Sequence, residues 1–350
     1  MFVTLLVAIF LISFIFAAYT IQQKQGQMQE EYVLLYRQLQ QQYRGNPQLL
    51  EQAAEQLKKN LMAKYGLTGN PVQDMIRETI NLARSSIVFK FGESRNVYFG
   101  TKDIGEQVRI ALKNTVILFT TATLINTFIG LMLGLYMARR PGSLLDRVVS
   151  TMGMVSYSLP LWWVGILFII IFSFYLGWFP AQSKDVFEAL SAIPQDVNAV
   201  ERWFMVAATW LKYMALPLLT IVLVSFGGWA YIVRNIVLDT MHQDFVLAAR
   251  ARGLPERRII YGHVLRTSSP PIVTSVALAL VGSFGGAIIS ETVFGWPGMG
   301  LLYWIALTNG EARVLMATTF VTTLFFILTI FILDFLYVLL DPRVRTERTA

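Results

Sequence analysis

Two stretches of this chain place residue types at spacings that could do work, and in both the work is mechanical rather than catalytic. The first is Asp244 to Gly253, DFVLAARARG, followed at once by Leu254 and Pro255. Phe245, Ala248, Ala249 and Arg252 share a helical face, and the small alanines permit close approach of another surface. Gly253 can adopt the left-handed conformation that ends a helix, and Pro255 suits the first turn of a following one that continues through ERRIIYGHVLR. Two short helices meeting at an elbow make a docking element, with Asp244 and Leu254 at its ends; an amphipathic helix resting on a lipid surface is the other reading these residues allow. The second stretch is SETVFGWPGMG, residues 290 to 300. Here Glu291 sits near the outer edge of an apolar run, and Gly295, Trp296, Pro297 and Gly298 break the helix. Such breakage is tolerated at membrane depth only where protein or a water-filled cavity covers the freed backbone. Residues 295 to 300 are therefore expected to turn toward the outer mouth of a pathway, as an outer gate, with an ordinary surface turn as the alternative.

Reaction chemistry is hard to find elsewhere. The chain has no cysteine, which removes disulfides, thiolate catalysis and Cys-type metal sites, and its two histidines, His242 and His263, are too few for a histidine cluster. There is no GxxxxGK[ST] phosphate loop. No catalytic, cofactor-binding or metal-binding residue is expected.

The elements that must position the two stretches are set by composition. Of 350 residues, 55% are hydrophobic and only 15% charged, where a soluble domain carries about a quarter charged. A bilayer core about 30 Å thick takes roughly 20 apolar residues per helical span, and that ruler picks out approximately 2–21, 116–137, 149–176, 208–232, 272–294 and 316–339. These runs are too long for barrel strands, so the expectation is an all-α integral membrane protein with six transmembrane helices. The net charge of +7 is placed at span ends rather than in a nucleic-acid patch. Arg139, Arg140 and Arg147 follow the second span, Arg234, Arg250, Arg252, Arg257, Arg258 and Arg266 follow the fourth, and Arg343, Arg345 and Arg348 lie in the tail. These three segments are read as cytoplasmic, which puts both termini inside a cell membrane and leaves 177–207, with Asp185, Glu188, Asp196 and Glu201, outside. The uncharged first run is longer than a signal-peptide core of roughly 7–15 residues and is read as a retained span.

The domain plan is a first helix at 1–21, an extracytoplasmic helical insertion at 22–113, a five-helix core at 114–340 carrying a cytoplasmic loop at 235–270, and a cytoplasmic tail at 341–350. Within the insertion, Tyr32, Leu35, Tyr36, Leu39 and Tyr43 repeat with helical period. Asn46-Pro47 opens a second run through Leu50, Ala53, Ala54, Leu57 and Leu61, so an outer helical hairpin is expected, against the alternative of an unordered Gln-rich linker. Ala277, Ala279, Gly282, Ser283, Gly285 and Gly286 are small residues suited to close helix packing. Asn126 and Asp334 are costly in lipid and should face protein or water, Asp334 pairing with an arginine near the inner surface. Trp162, Trp163, Trp178 and Trp229 suit either a solute path or interfacial anchoring.

At DFVLAARARGL the chain resembles the membrane permeases of binding-protein-dependent ABC importers of the dipeptide, oligopeptide and nickel type, with Ala248, Ala249 and Gly253 at the signature positions of that family's "EAA" loop. NTVILF at 114–119, PLWWVGILFIIIFS from Pro160, ETVFGWPGMG from Glu291, LLDPRVR from Leu339 and KYGLTGNP at 64–71 are similar to its other landmarks. The resemblance implies a type I importer fold in which Asp244 to Leu254 form the coupling helix against a cytoplasmic ATPase. It also implies a second homologous permease subunit, two ATPase subunits that bind the ATP, an extracytoplasmic solute-binding protein, and no cofactor on this chain. Dipeptides or oligopeptides are the implied solute, with oligosaccharides and nickel as alternatives. An ion-driven secondary transporter would bury several ionisable groups at the midplane, and the central thirds of these spans supply almost none. Three features depart from the family pattern: the Gln-rich 22–60 segment is longer, the usual basic start is missing, and TNGEAR at 308–313 replaces an Arg-Asp-Tyr-Pro-like turn.

Overall fold

Helix α1 (Phe2–Gln42) does not stop where its apolar run stops. At about 1.5 Å per residue its 41 residues reach roughly 60 Å, about twice a bilayer core of ~30 Å. The expected boundary at residue 21 thus lies inside one continuous helix, because Gln and Glu are good helix formers and nothing between 22 and 42 breaks the backbone ladder. The computed structural model describes residues 2–194, 196–282 and 287–340. The chain folds in two units, Met1–Val108 with Ile305–Leu324, and Arg109–Trp304 with Phe325–Ala350.

In the first unit α2 (Pro47–Tyr65) and α3 (Pro71–Ile87) pack on α1. Tyr32, Leu35, Tyr36 and Leu39 on α1 with Tyr43 just past its end, and Leu50, Ala53, Ala54, Leu57 and Leu61 on α2, are all half-buried or buried, as two facing stripes require. Asn46 and Asn70 cap the two helices ahead of Pro47 and Pro71, and Gly66 at φ 68° ends α2 in the left-handed region. Lys24 to Glu78 and Lys64 to Glu31, both 2.6 Å, tie α1 to its neighbours.

The segment after α3 corrects the all-helical expectation. Strands β1 (Glu93–Tyr98) and β2 (Thr101–Asp103) form an antiparallel hairpin around Phe99 and Gly100, both at positive φ. It is held from a distant part of the sequence: Glu311, 4% exposed, accepts from the backbone N–H of Arg95 at 3.1 Å and of Asn96 at 3.0 Å. Glu311 belongs to the TNGEAR segment that departs from the family pattern. Glu311→Ala removes both acceptors at about 1 kcal/mol each. Amide hydrogen exchange across 93–103 is expected to quicken at least tenfold; unchanged protection would count against the clamp.

The second unit is built on α4 (Ile104–Arg139), α5 (Leu144–Ser158), α6 (Leu161–Phe168) with a π-helical continuation at Ile169–Tyr175, α7 (Val186–Ser191) and α8 (Ala199–Met241). Then come α9 (Asp244–Ala251), α10 (Glu256–Arg258), a π-helical stretch Ile259–Val264, α11 (Leu265–Gly282), α12 (Ile288–Phe294) and α13 (Met299–Thr308) as far as Trp304, while α14 (Ala312–Leu340) belongs to the first unit up to Leu324 and to the second from Phe325. Backbones of α5 and α8 meet at glycines: a Cβ on Gly227 would lie 2.8 Å from the Cα of Gly153.

Among the described residues four helices are long and apolar enough to cross a membrane, or five if the pair Leu144–Ser158 and Leu161–Tyr175, bent by 99°, is one span. Two of the six expected spans are therefore not single helices. The run at 149–176 is bent because Pro160 pushes Leu159 to an extended conformation, φ −87° and ψ 131°. The run at 272–294 is divided between α11 and α12, with Ala287 extended at φ −130° and ψ 95° just before α12. Ser283, Gly285 and Gly286, the Asp334 side chain with its expected arginine, and the 341–350 tail lie outside the described residues.

Candidate docking elbow and buried turn

Helix α9 ends as its sequence requires. Gly253 sits at φ 73°, its N–H donates to Arg250 O at 2.9 Å, and the N–H of Leu254 reaches Ala249 O at 3.3 Å, which closes the last turn. Pro255 occupies the cap position just ahead of α10 rather than its first turn. The second arm of the elbow is not short: α10 runs through the π-helical stretch into α11 without a break. Arg250 bridges the corner to Glu256 at 2.7 Å. The Arg250 guanidinium beside Glu256 holds its carboxyl below the usual carboxylate range, with Arg139 adding a smaller pull.

The face expected to be presented needs correction. Val246 and Ala249 are buried and belong to a core with Leu135 and Ala138 of α4, Val233 and Val237 of α8, and Ile259, Val264 and Ile272; Phe245 packs against it. The exposed face is Asp244, Leu247, Ala248, Ala251 and Arg252, at i, i+3, i+4, i+7 and i+8. Ala249 and Phe245 therefore seat the elbow on the bundle, while Ala248, Arg252 and Asp244 are presented with Leu247, 59% exposed, which the sequence reading passed over. The signal was available: in a cytosolic-type loop, an apolar residue offset from the Phe245, Val246 and Ala249 side has no core of its own to enter. Two further ties fix the elbow, the Arg139 guanidinium over the Tyr261 ring at 5.9 Å and a buried Ser268 to Thr240 hydroxyl bond of 2.9 Å.

At the second stretch, Gly295 at φ 59° ends α12 and the chain turns through Trp296, Pro297 and Gly298 before α13 starts at Met299, so the turn is shorter than the expected 295–300. It is not a surface turn, because residues 294–302 are all buried. Its polar groups are satisfied by protein. Glu291, 1% exposed, accepts from Thr115 Oγ1 at 2.9 Å and from the N–H groups of Gly300 at 2.8 Å and Leu301 at 3.2 Å. The Asn114 side chain donates to Pro297 O at 2.9 Å, and Trp296 Nε1 donates to Asn114 O at 3.1 Å. A Cβ on Gly298 would strike the Glu291 carboxyl, so only glycine lets the carboxyl enter the turn. Asn114 and Thr115, which the sequence noted only as the opening of NTVILF, are thus the partners that hold this knot.

Comparison with known proteins gives a consistent picture. The family model described as "Binding-protein-dependent transport system inner membrane component" matches residues 130–346, a range holding both the elbow and the buried turn. The "Oligopeptide transport system permease protein AppB" of Bacillus subtilis (strain 168) is 26% identical over 287 residues, 82% of this chain and 84% of that protein. The "Oligopeptide transport system permease protein OppB" of Mycobacterium bovis (strain ATCC BAA-935 / AF2122/97) is 30% identical over 245 residues, 70% of this chain and 73% of that protein. Among solved structures, a chain of "Inward facing conformations of the MetNI methionine ABC transporter: CY5 native crystal form" is similar with a TM-score of 0.47 and 17% identity, covering 69% of this chain and 99% of that one.

Proposed function

We propose, from the premise that this chain belongs to the family of binding-protein-dependent transport system inner membrane components, that it forms half of the translocation pathway of an ATP-driven importer of dipeptides or oligopeptides. Membership makes it a multi-pass permease component of the inner membrane, not itself catalytic, that works with an ATPase and a binding protein. The finer reading is that a second homologous permease completes the pathway, two ATPase subunits sit on the cytoplasmic side, and an extracytoplasmic binding protein delivers solute. In this reading all six spans are present, both termini lie inside, and 22–113 lies outside. The peptide assignment draws on relatives named for oligopeptides at 26% and 30% identity.

The observation that carries the coupling role is the exposed face of α9, Asp244, Leu247, Ala248, Ala251 and Arg252, on an elbow whose other side is sunk into the bundle. ATP-driven closure of the ATPases would move the elbow, and the continuous α10 to α11 arm would pass that motion to the spans. The Glu291 to Gly298 knot would hold the outer gate. Single cysteines test the docking face: Leu247→Cys and Ala248→Cys are expected to crosslink to an ATPase chain and Ala249→Cys is not. Crosslinks to lipid or self alone would sink the importer assignment.

Gly253 gives a second test. Its φ is 73°, and a Cβ there would meet nothing of this chain within 4 Å, so within the permease a substitution acts first through the backbone. A β-branched residue resists that conformation by about 1–2 kcal/mol. Gly253→Val is expected to lower uptake relative to ATP hydrolysis while the complex stays assembled, measured as the ratio of the two rates in proteoliposomes. A ratio equal to wild type would count against the elbow as transmitter.

A further inference from the structure

A cavity of about 730 Å³ lies among α4, α5 and α8, with Ala279 of α11 at its edge. The glycine contacts described above shape it: Gly153 and Gly227 bring two walls together, and Gly130 leaves room for the Trp229 indole, which any Cβ there would strike. Among the described residues, those bordering it include no acidic, basic or histidine side chain. Two of them carry a buried polar atom without a hydrogen-bond partner, an acceptor at Asn126 Oδ1 and a donor at Trp229 Nε1. Asn126 is 8% exposed, and nearby hydroxyls do not serve it: Thr123 donates to Phe119 O at 2.8 Å and Ser156 to Gly153 O. Buried polar groups are nearly always paired, so an orphaned donor and an orphaned acceptor bordering one cavity call for a ligand that supplies the complement of both.

We infer that Asn126 and Trp229 form an amide-reading subsite that takes the uncharged backbone of a peptide in transit. The inference rests on the permease reading above and narrows its solute. A peptide backbone carries the complement of both orphans, a carbonyl to accept from Trp229 Nε1 and an N–H to donate to Asn126 Oδ1. Both residues line the cavity while the two atoms are themselves covered, and the broad terminal torsion of asparagine lets its amide turn toward a ligand. The rest of the wall, with Phe119, Met154, Ile221 and Val224, suits side chains of varied apolar shape. A nickel ion would find neither carboxylate nor imidazole there. A sugar ring, with a hydroxyl on most carbons, would lose more hydrogen bonds to water than this wall returns. Two neutral hydrogen bonds are also weak enough to let the solute leave.

The test uses the assembled transporter with its ATPases and binding protein in proteoliposomes, and a tripeptide, alanyl-photoleucyl-alanine, whose diazirine labels what it touches. During turnover, irradiation is expected to label segments 119–127 and 224–232. Asn126→Leu and Trp229→Phe are each expected to reduce that labelling and tripeptide uptake about three- to tenfold, the range one neutral hydrogen bond supports. Trp229→Phe keeps an aromatic ring near Gly130 while removing the N–H, and a thermal stability equal to wild type is the control that separates the N–H from packing. Labelling elsewhere in the permease with uptake intact, or wild-type labelling and uptake in both variants, overturns the subsite and leaves the peptide importer standing. A wild-type complex that imports maltotriose or nickel ion and no tripeptide overturns the peptide reading and the subsite with it.

Discussion

Replacing Arg234 with alanine is expected to destabilise the permease by about 3–5 kcal/mol, the usual effect of stranding one member of a buried ion pair. Asp146, its partner, has a side chain only 4% exposed, and the arginine side chain is 19% exposed. The guanidinium engages both carboxylate oxygens, Nε to Oδ1 and Nη2 to Oδ2 at 2.9 Å, while the N–H of Gly142 reaches Oδ2 at 2.8 Å. Without the guanidinium, a charge remains in a place water reaches poorly. Arg234→Lys should recover only part of the loss, since an ammonium cannot form the two-pronged contact. The double variant Asp146→Leu with Arg234→Met should be milder than either single change to alanine, because no charge is left unpaired. Thermal unfolding of the purified protein measures all of these. A double variant no more stable than the singles would show that packing between α5 and α8, and not the ion pair, is what the substitution disturbs.

The second large effect is expected at Glu291. Glu291→Ala leaves the N–H groups of Gly300 and Leu301 and the hydroxyl of Thr115 without their acceptor inside a buried knot. At about 1–3 kcal/mol for each stranded group, a loss on the order of 4 kcal/mol is expected. Glu291→Gln keeps one acceptor oxygen for the two N–H groups and should fall between wild type and alanine. Gly298→Ala should resemble Glu291→Ala, because the added methyl occupies the space of the carboxyl. Yield of folded protein and thermal stability read the effect. A Glu291→Ala protein as stable as wild type would mean that the turn between α12 and α13 holds without its carboxyl.

The contrast between these two sites and the elbow shows where sequence reading succeeds. Gly253, the Asn46 start of α2 and the facing stripes of α1 and α2 are local: helical period and the conformational preferences of glycine, proline and asparagine act within a few residues. The apolar runs were equally legible, and with them the membrane class. Continuity of those runs was not. Pro160 and Ala287 lie inside apolar stretches, where hydropathy stays high although the backbone breaks at Leu159 and at Ala287.

The sequence by itself determined that this is a helical membrane chain and where several of its helices cap and turn, because those properties follow from composition, period and short-range backbone chemistry; the family resemblance rests instead on whole motifs such as DFVLAARARGL and ETVFGWPGMG. Only the tertiary structure decided which side of α9 is presented, that Glu311 clamps a hairpin some 215 residues away, that Asp146 meets Arg234 across 88 residues, and that Asn126 and Trp229 border one cavity. Each of those depends on where two distant segments come to rest side by side. Partner choice for a buried polar group is settled by that placement, since hydrogen bonds reach about 3 Å in space and are blind to separation along the chain.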